Sequence, residues 1–180
     1  IFYEKIRGIK VNAFKAKTIS ILFDAKDEKY FLKSLDKICK EALSAIKNGY
    51  TFIILSDRNG KSDKAALPCL LAAGCVHQYL VKNSLRNQIG IIVESAEPRE
   101  VHHFALLFGY GADCVNPYLI YESINYLKKE GELGLDFKTA QQNYIKAIDK
   151  GILKILSKMG ISTLQSYRGA QIFEAVGLNK

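Results

Sequence analysis

Hydrophobic positions in this chain follow two different patterns, and segments of the two kinds alternate along it. Short, continuously apolar runs are typical of strands covered on both faces, whereas apolar residues spaced three and four apart are typical of helices. The predicted strands are residues 18–23, 50–55, 88–93 and 113–115. The predicted helices are residues 28–48, 68–82, 98–108 and 139–159, another from 117, and a short one within 165–176.

Proline and glycine mark the predicted helix boundaries. Proline is favoured in the first turn of a helix, and it occurs there at Pro68, Pro98 and Pro117, the last with Asn116 as the expected N-cap. Glycine tolerates the conformation in which helices end, and it marks ends at Gly49, Gly109 and Gly111. Residues 56–63 and 128–138 are polar and predict loops.

The alternation of strands and helices predicts an α/β fold. Four successive βα units with short connections imply a parallel sheet with right-handed crossovers. Four such units are half of a (β/α)8 barrel, so we expect an open or half-barrel sheet with extra helices at the C-terminal end. A chain of 180 residues is expected to form a single domain, residues 1–180.

The beginning and the hydropathy of the chain limit the classes of protein that it could represent. Its first residues carry charges where a secretory leader needs an apolar core, and no apolar run is long enough to span a bilayer. Since the sequence starts without methionine, we expect it to be a piece of a larger protein. We expect no membrane partner.

The net charge of +8 raises the question of nucleic-acid binding, but its distribution argues against it. The lysines are scattered and do not alternate with aromatic residues as a stacking platform requires. One basic stripe is evident, at helical spacing: Lys146, Lys150, Lys154 and Lys158. An apolar stripe lies opposite: Ile145, Ile148, Ile152, Ile155 and Met159. This pattern predicts the solvated face of an amphipathic helix, with no nucleic-acid partner.

Metal-binding and nucleophilic motifs are missing from the sequence. The four cysteines lack the close spacing of an iron–sulfur or zinc site and are predicted to be buried thiols. His102 and His103 are adjacent, so on a helix they point about 100° apart and cannot readily share a metal. With His77, they are predicted to be structural. The sequence offers no catalytic, metal or cofactor-binding residue.

Polar residues follow three of the predicted strands at the edge where α/β proteins form their sites. They are Ser56, Asp57, Arg58, Glu94, Arg99 and Asn116. Turns and helix caps would account for several of them. We expect Arg58 and Arg99 to be structural, in ion pairs with Asp57 or Glu94. The alternative is a free-standing enzyme or binding module that uses this strand-end cluster on an anionic metabolite.

A second polar group follows the last long helix, where Gly160 ends it. Its members are Ser162, Thr163, Ser166, Tyr167 and Arg168. Such a connector could face a partner domain or a polar channel, or it could be an internal clamp in which Tyr167 and Arg168 bind neighbouring carbonyl groups. Apolar residues interspersed among the hydroxyl groups favour an interface.

Three separated segments resemble the central domain of the glutamate synthase large subunit. They are ILSDR at 54–58, VESAEPREVHHFALLFGYGADCVNP at 93–117 and KMGISTLQSYRGAQIFEA at 158–175. The resemblance covers residues 36–178 and implies the C-terminal part of that domain, with residues 160–180 leading toward an FMN-binding domain.

The resemblance implies a connecting role without chemistry of its own. In this family, a glutamine amidotransferase domain releases ammonia, which travels through a tunnel to an FMN barrel with an iron–sulfur cluster, where 2-oxoglutarate becomes glutamate. The expected partners are those two domains and an electron-donating subunit or ferredoxin. FMN and the cluster belong to the adjacent domain. The implied location is the cytoplasm or a plastid stroma.

Overall fold

The computed structural model describes residues 6–11, 14–26, 29–58, 60, 63–174 and 176. Its strands are β1 (Lys10–Val11), β2 (Phe14–Ser20), β3 (Leu22–Asp24), β4 (Phe52–Ser56), β5 (Lys64–Ala66), β6 (Gly90–Glu94) and β7 (Cys114–Asn116). Its helices are α1 (Lys29–Lys47), α2 (Cys69–Lys82), α3 (Val101–Gly109), α4 (Tyr118–Lys129), α5 (Phe137–Met159) and α6 (Leu164–Tyr167), with a 3-10 turn at Arg86–Gln88.

The main sheet has the strand order β1-β2-β4-β6-β7, and its last four strands run parallel. Helices α1, α2 and α3 connect these strands, which confirms the predicted α/β fold. β1 pairs antiparallel with β2 at one edge of the sheet. β3 and β5 form a separate antiparallel pair. Within the described residues the sheet is open, with β7 as its last strand.

The hydrophobic core lies on the helix-covered face of the sheet. Alternate strand residues such as Ile53 and Val93 are fully buried against α1 and α2, which contribute Ile38 and Val76 to the same cluster. A second buried cluster joins α3 to the C-terminal helices; it contains Phe104, Ala105, Ile148, Ile152, Leu156 and Tyr167. The C-terminal helices are therefore part of the same packed body.

Two predicted helix starts are wrong by a few residues. α3 begins at Val101, not at Pro98, because Glu100 and His103 form a reciprocal capping box that fixes the start there. α4 begins at Tyr118, and Asn116 does not cap it, since the Asn116 amide is turned toward a buried carboxylate. A local capping box therefore overruled the proline signal at Pro98, and a tertiary hydrogen bond overruled the N-cap signal at Asn116.

Glycines lie at two of the predicted helix ends, and an unpredicted strand follows one of the predicted loops. Gly49 lies just beyond α1 with a φ of 73°, as its role as a stop requires. Gly109 is still helical, and the chain leaves α3 through Gly111, whose φ is 106°. The predicted loop 56–63 is followed by β5, which the sequence analysis missed because three residues carry too little periodicity.

The polarity of α5 matches the prediction on one side only. All four lysines of the basic stripe are exposed. On the opposite side Ile148 and Ile152 are buried, but Ile145 and Met159 are 41% and 50% exposed. Leu156 completes the buried row instead, because α5 packs along a single i, i+4 line of contact.

The prediction that all four cysteines are buried holds for two of them, while Cys75 and Cys114 are half-buried. Cys39 and Cys69 are buried, and the Sγ atoms of Cys39 and Cys75 lie 3.5 Å apart between α1 and α2. Burial, with the hydrogen bond to Cys75, raises the pKa of Cys39 to about 12, so this thiol stays protonated.

No helix in the described part of the chain is long and apolar enough to cross a membrane.

Candidate functional site

Three polar side chains share one level at the carboxyl end of the parallel sheet. The strand register places Ser56 of β4 opposite Glu94 of β6, and Glu94 opposite Asn116 of β7. Because residues in register on neighbouring strands point to the same face, the three side chains converge there. Three members of the predicted strand-end cluster, Ser56, Glu94 and Asn116, therefore lie together.

Glu94 is the centre of this group and is completely buried. Its Oε2 accepts a hydrogen bond of 2.5 Å from the Ser56 hydroxyl, and its Oε1 lies 3.3 Å from the Asn116 amide nitrogen. Two guanidinium groups neutralise it: Arg58 Nε lies 3.2 Å from Oε1, and Arg7 binds Oε2. A buried carboxylate requires such partners, because burial without them is costly.

Asp57 forms a second acidic position beside Glu94. It is 8% exposed, and its Oδ2 accepts hydrogen bonds from the Ser95 hydroxyl at 2.6 Å and from the Ala96 amide at 3.1 Å. Burial and then the neighbouring Asp57 carboxylate raise the pKa of the Tyr118 phenol. This carboxylate ties the turns after β4 and β6 together.

Arg58 lies between acidic and aromatic groups that already engage it. In addition to Glu94, its Nη2 lies 3.4 Å from an Oε1 of Glu122, and its guanidinium stacks 4.4 Å from the centre of the Tyr118 ring. The predicted ion pair of Arg58 is therefore present, with Glu94 as its buried partner.

The charges at this edge do not favour an anionic ligand. Among the described residues, Glu94 pairs with the guanidinium groups of Arg7 and Arg58, Glu122 pairs with Arg58, and Asp57 adds a third carboxylate beside them. The cationic groups are engaged by the protein's own acids. An anionic metabolite would have to displace a buried carboxylate that has four partners, so the alternative of an anion site at this edge is not favoured.

Arg99 does not belong to the strand-end cluster, contrary to the prediction. Its side chain is exposed, and its backbone forms the contacts instead. The amide nitrogen donates to Nδ1 of His103 at 3.1 Å, and the carbonyl accepts from the Tyr144 hydroxyl at 3.0 Å. The turn after β6 carries this residue to the start of α3, away from the edge where Glu94 lies.

Sequence reasoning missed three contributors to this site: Arg7, Tyr118 and Glu122. Arg7 lies 87 positions before Glu94 and belongs to no motif, so no local signal points to it. Tyr118 and Glu122 are spaced i, i+4 at the start of α4, directly after the fourth strand, and that spacing could have identified them. No group of three histidine, cysteine, aspartate or glutamate residues in the described ranges could hold a metal ion.

The C-terminal polar segment, residues 162–168, is divided between buried and exposed members. Tyr167 is 1% exposed and packs with Phe104 in the second cluster, so it cannot face a neighbouring domain as predicted. Arg168 forms an ion pair with Asp113, a carboxylate and not the carbonyl group expected of a clamp. Three members remain exposed: Ser162, Thr163 and Ser166. The Thr163 hydroxyl also caps α6 by accepting from the Ser166 amide at 3.2 Å.

Comparison with known proteins shows the family to which the chain belongs. The family model described as the glutamate synthase central domain matches residues 2–179. A glutamate synthase (NADH) of Schizosaccharomyces pombe is 44% identical over 97% of this chain and 8% of its own length. The glutamate synthase (NADPH) large chain of Bacillus subtilis is 46% identical over 92% of this chain and 11% of its own. A ferredoxin-dependent glutamate synthase of Pyropia yezoensis is 41% identical over 99% and 12%.

The chain thus spans about a tenth of the length of the curated relatives it matches. Among solved structures, a double mutant of flavocytochrome b2 with pyruvate bound aligns with a TM-score of 0.54. That alignment covers 79% of this chain and 39% of the other, at 12% identity. At this identity the likeness concerns the fold alone, and it matches less than half of the larger structure.

Proposed function

Because the chain belongs to the glutamate synthase central domain family, we propose that it connects and spaces the catalytic domains of a glutamate synthase. The observation that carries this proposal is the family match over residues 2–179 in a chain a tenth as long as its relatives. The flanking domains would be a glutamine amidotransferase and an FMN-binding domain. This chain would contribute part of the interior through which ammonia and conformational signals pass.

The parent protein would convert glutamine and 2-oxoglutarate to glutamate and thereby assimilate ammonia. FMN and an iron–sulfur cluster would be bound by the adjacent domain. The names of the relatives include NADH, NADPH and ferredoxin, so an electron-donating subunit or ferredoxin is the expected further partner. Relatives in Spinacia oleracea and Oryza sativa are chloroplastic, and we propose the cytoplasm or a plastid stroma for this protein.

The strand-end cluster supports a role without chemistry of its own. Flavin and other phosphate-bearing cofactors are held by backbone amides and cationic groups at the carboxyl ends of strands. Here that position is filled by Glu94, fully buried and bonded to Ser56, Asn116 and two arginines. These residues do not fit a phosphate, so we propose that the cluster fixes the strand ends and leaves catalysis to neighbouring domains.

The isolated 180-residue chain is expected to be catalytically silent, because the described polar groups at the carboxyl ends of its strands bind one another and do not cradle a flavin phosphate. The measurements are glutaminase activity, flavin absorbance after purification, and reduction of 2-oxoglutarate with ammonia. The intact parent enzyme, in the same assays, is the positive control. A stoichiometric flavin bound to the isolated chain, or glutaminase turnover by it, would contradict the proposal.

The exposed hydroxyl face of residues 162–168 is the proposed contact with a neighbouring domain. Ser162, Thr163 and Ser166 are exposed, while Leu164 and Phe173 nearby are only partly buried. A mixture of half-buried apolar groups and exposed hydroxyls is what a domain interface of moderate polarity requires. Arg168 is a poor probe of this interface, because its side chain also pairs with Asp113 inside the chain.

Ser162→Arg in the intact parent enzyme is expected to raise the ratio of glutamine hydrolysis to glutamate formation at least several-fold. A long cationic side chain at this position would separate the proposed contact and let ammonia escape before it is used. Ser157→Arg, on the exposed side of α5, is the matched control and should leave the ratio unchanged. An unchanged ratio in a folded Ser162→Arg enzyme would show that this face is not an interface.

A further inference from the structure

A polar cavity lies at the end of the sheet opposite to the strand-end cluster, where the parallel strands begin. Its volume is about 390 Å³. Its polar lining comes from the end of α2, the turn before β6 and helix α6: His77, Ser84, Arg86, Asn87, Gln165 and Arg168. None of these residues belongs to the strand-end cluster.

Arg86 is held rigidly in the wall of this cavity. Its Nη1 donates to the Ile89 carbonyl at 2.8 Å, and its Nη2 donates to the Gly111 carbonyl at 2.7 Å and to Oδ2 of Asp113 at 2.8 Å. Its Nε donates to Nδ1 of His77 at 3.0 Å. A guanidinium fixed by four acceptors provides a positive charge whose position is determined before any ligand arrives.

The two arginines of the cavity share one carboxylate. Asp113 pairs with Arg86 through Oδ2 and with Arg168 through Oδ1. Burial lowers the pKa of Arg168 most, and the charge of Arg86 adds to the effect. Among the described residues, two guanidinium groups against one carboxylate leave an excess of one positive charge at the cavity.

One hydrogen-bond donor at this cavity also lacks an acceptor. Arg168 contributes its charge, since its Nη1 pairs with Asp113, its Nη2 donates to Oε1 of Gln165 and its Nε is buried away from the cavity. His77 accepts from Arg86 at Nδ1, so its proton is on Nε2, for which the described residues show no acceptor. Burial, then Arg86 and Arg168, lower the pKa of His77 and keep this ring neutral, as a donor, at pH 7.

We propose that this cavity binds a small anion through a carboxylate or phosphate group placed between Arg168 and His77. Such a group would neutralise the excess charge and accept a hydrogen bond from Nε2 of His77. Charge-assisted hydrogen bonds from a preorganised guanidinium are among the strongest that proteins make with oxyanions. The proposal does not depend on the connecting role of the chain, since it concerns only groups within these 180 residues.

Titration calorimetry of the 180-residue chain with inorganic phosphate and, separately, with succinate tests this at constant ionic strength. We expect saturable one-to-one binding of at least one probe, and the pair of titrations identifies which oxyanion the cavity prefers. Arg168→Gln should weaken the binding at least tenfold. Lys158→Gln removes the same charge from the exposed stripe of α5 and should leave it unchanged.

Ser84→Asp provides a second variant that leaves the Arg168–Asp113 pair in place. Ser84 lies at the cavity with a φ of 57°, a conformation that aspartate tolerates, so the new carboxylate should compete with the ligand. We expect at least tenfold weaker binding, whereas Ser157→Asp on α5 should have no effect. Lack of saturable binding of both probes, or equal affinity in the folded Ser84→Asp variant, would overturn the proposal.

Discussion

Glu94→Gln is expected to lower the free energy of unfolding by about 3–5 kcal/mol, the usual cost of removing one partner of a buried ion pair. The glutamine has nearly the same shape, so the effect comes from charge. Arg7 and Arg58 would then face each other without the carboxylate that neutralises both. The amide NH2 of the new glutamine would also point at donor groups whose hydrogen-bond acceptor in the native protein is the Glu94 carboxylate. Denaturant unfolding followed by circular dichroism measures this loss.

Glu122→Gln is the control for the loss of Glu94. The Glu122 side chain is 59% exposed and pairs with the same Arg58, so its removal deletes an ion pair of similar length in solvent. Exposed pairs contribute about 0–1 kcal/mol, and the control should stay within that range. Equal losses in the two variants would mean that the strand-end cluster is solvated and does not lock the sheet.

The parallel sheet could be predicted because its strands and helices carry strong local patterns. The apolar run that became β4 and the periodic apolar face of α1 each occupy enough residues for their period to be read. The meeting of Ser56, Glu94 and Asn116 could be expected, because each directly follows a predicted strand and the carboxyl ends of parallel strands lie at one edge of the sheet.

The remaining contacts could not be predicted, since they join distant parts of the chain. Arg7 reaches Glu94 across 87 positions, and Arg86 reaches Asp113 across 27. The failed assignment of Asn116 has the same cause. Its local sequence is that of an N-cap, but the buried carboxylate on the neighbouring strand is a better partner for its amide. The polar cavity at the start of the parallel strands depends on such contacts between distant residues, and sequence analysis did not detect it.

Gly111→Ala is expected to lower the free energy of unfolding by about 2–5 kcal/mol, from two separate causes. The φ of this residue is 106°, where a side chain adds about 1–2 kcal/mol of strain. An added Cβ would also lie 2.2 Å from Nδ1 and 2.8 Å from Cβ of His77, and overpacking of this kind costs about 1–3 kcal/mol. His77 cannot move aside freely, because Arg86 binds its Nδ1. Thermal and denaturant unfolding both report the loss.

Gly131→Ala separates the two causes. Gly131 has a φ of 77°, yet nothing lies within 4 Å of the position that its Cβ would take. This variant should therefore show the conformational strain alone, about 1–2 kcal/mol. The difference between the two variants measures how tightly the Gly111 backbone packs against His77. If Gly111→Ala costs no more than Gly131→Ala, the ring is free to shift, and neither His77 nor the arginine that holds it is fixed in the cavity wall.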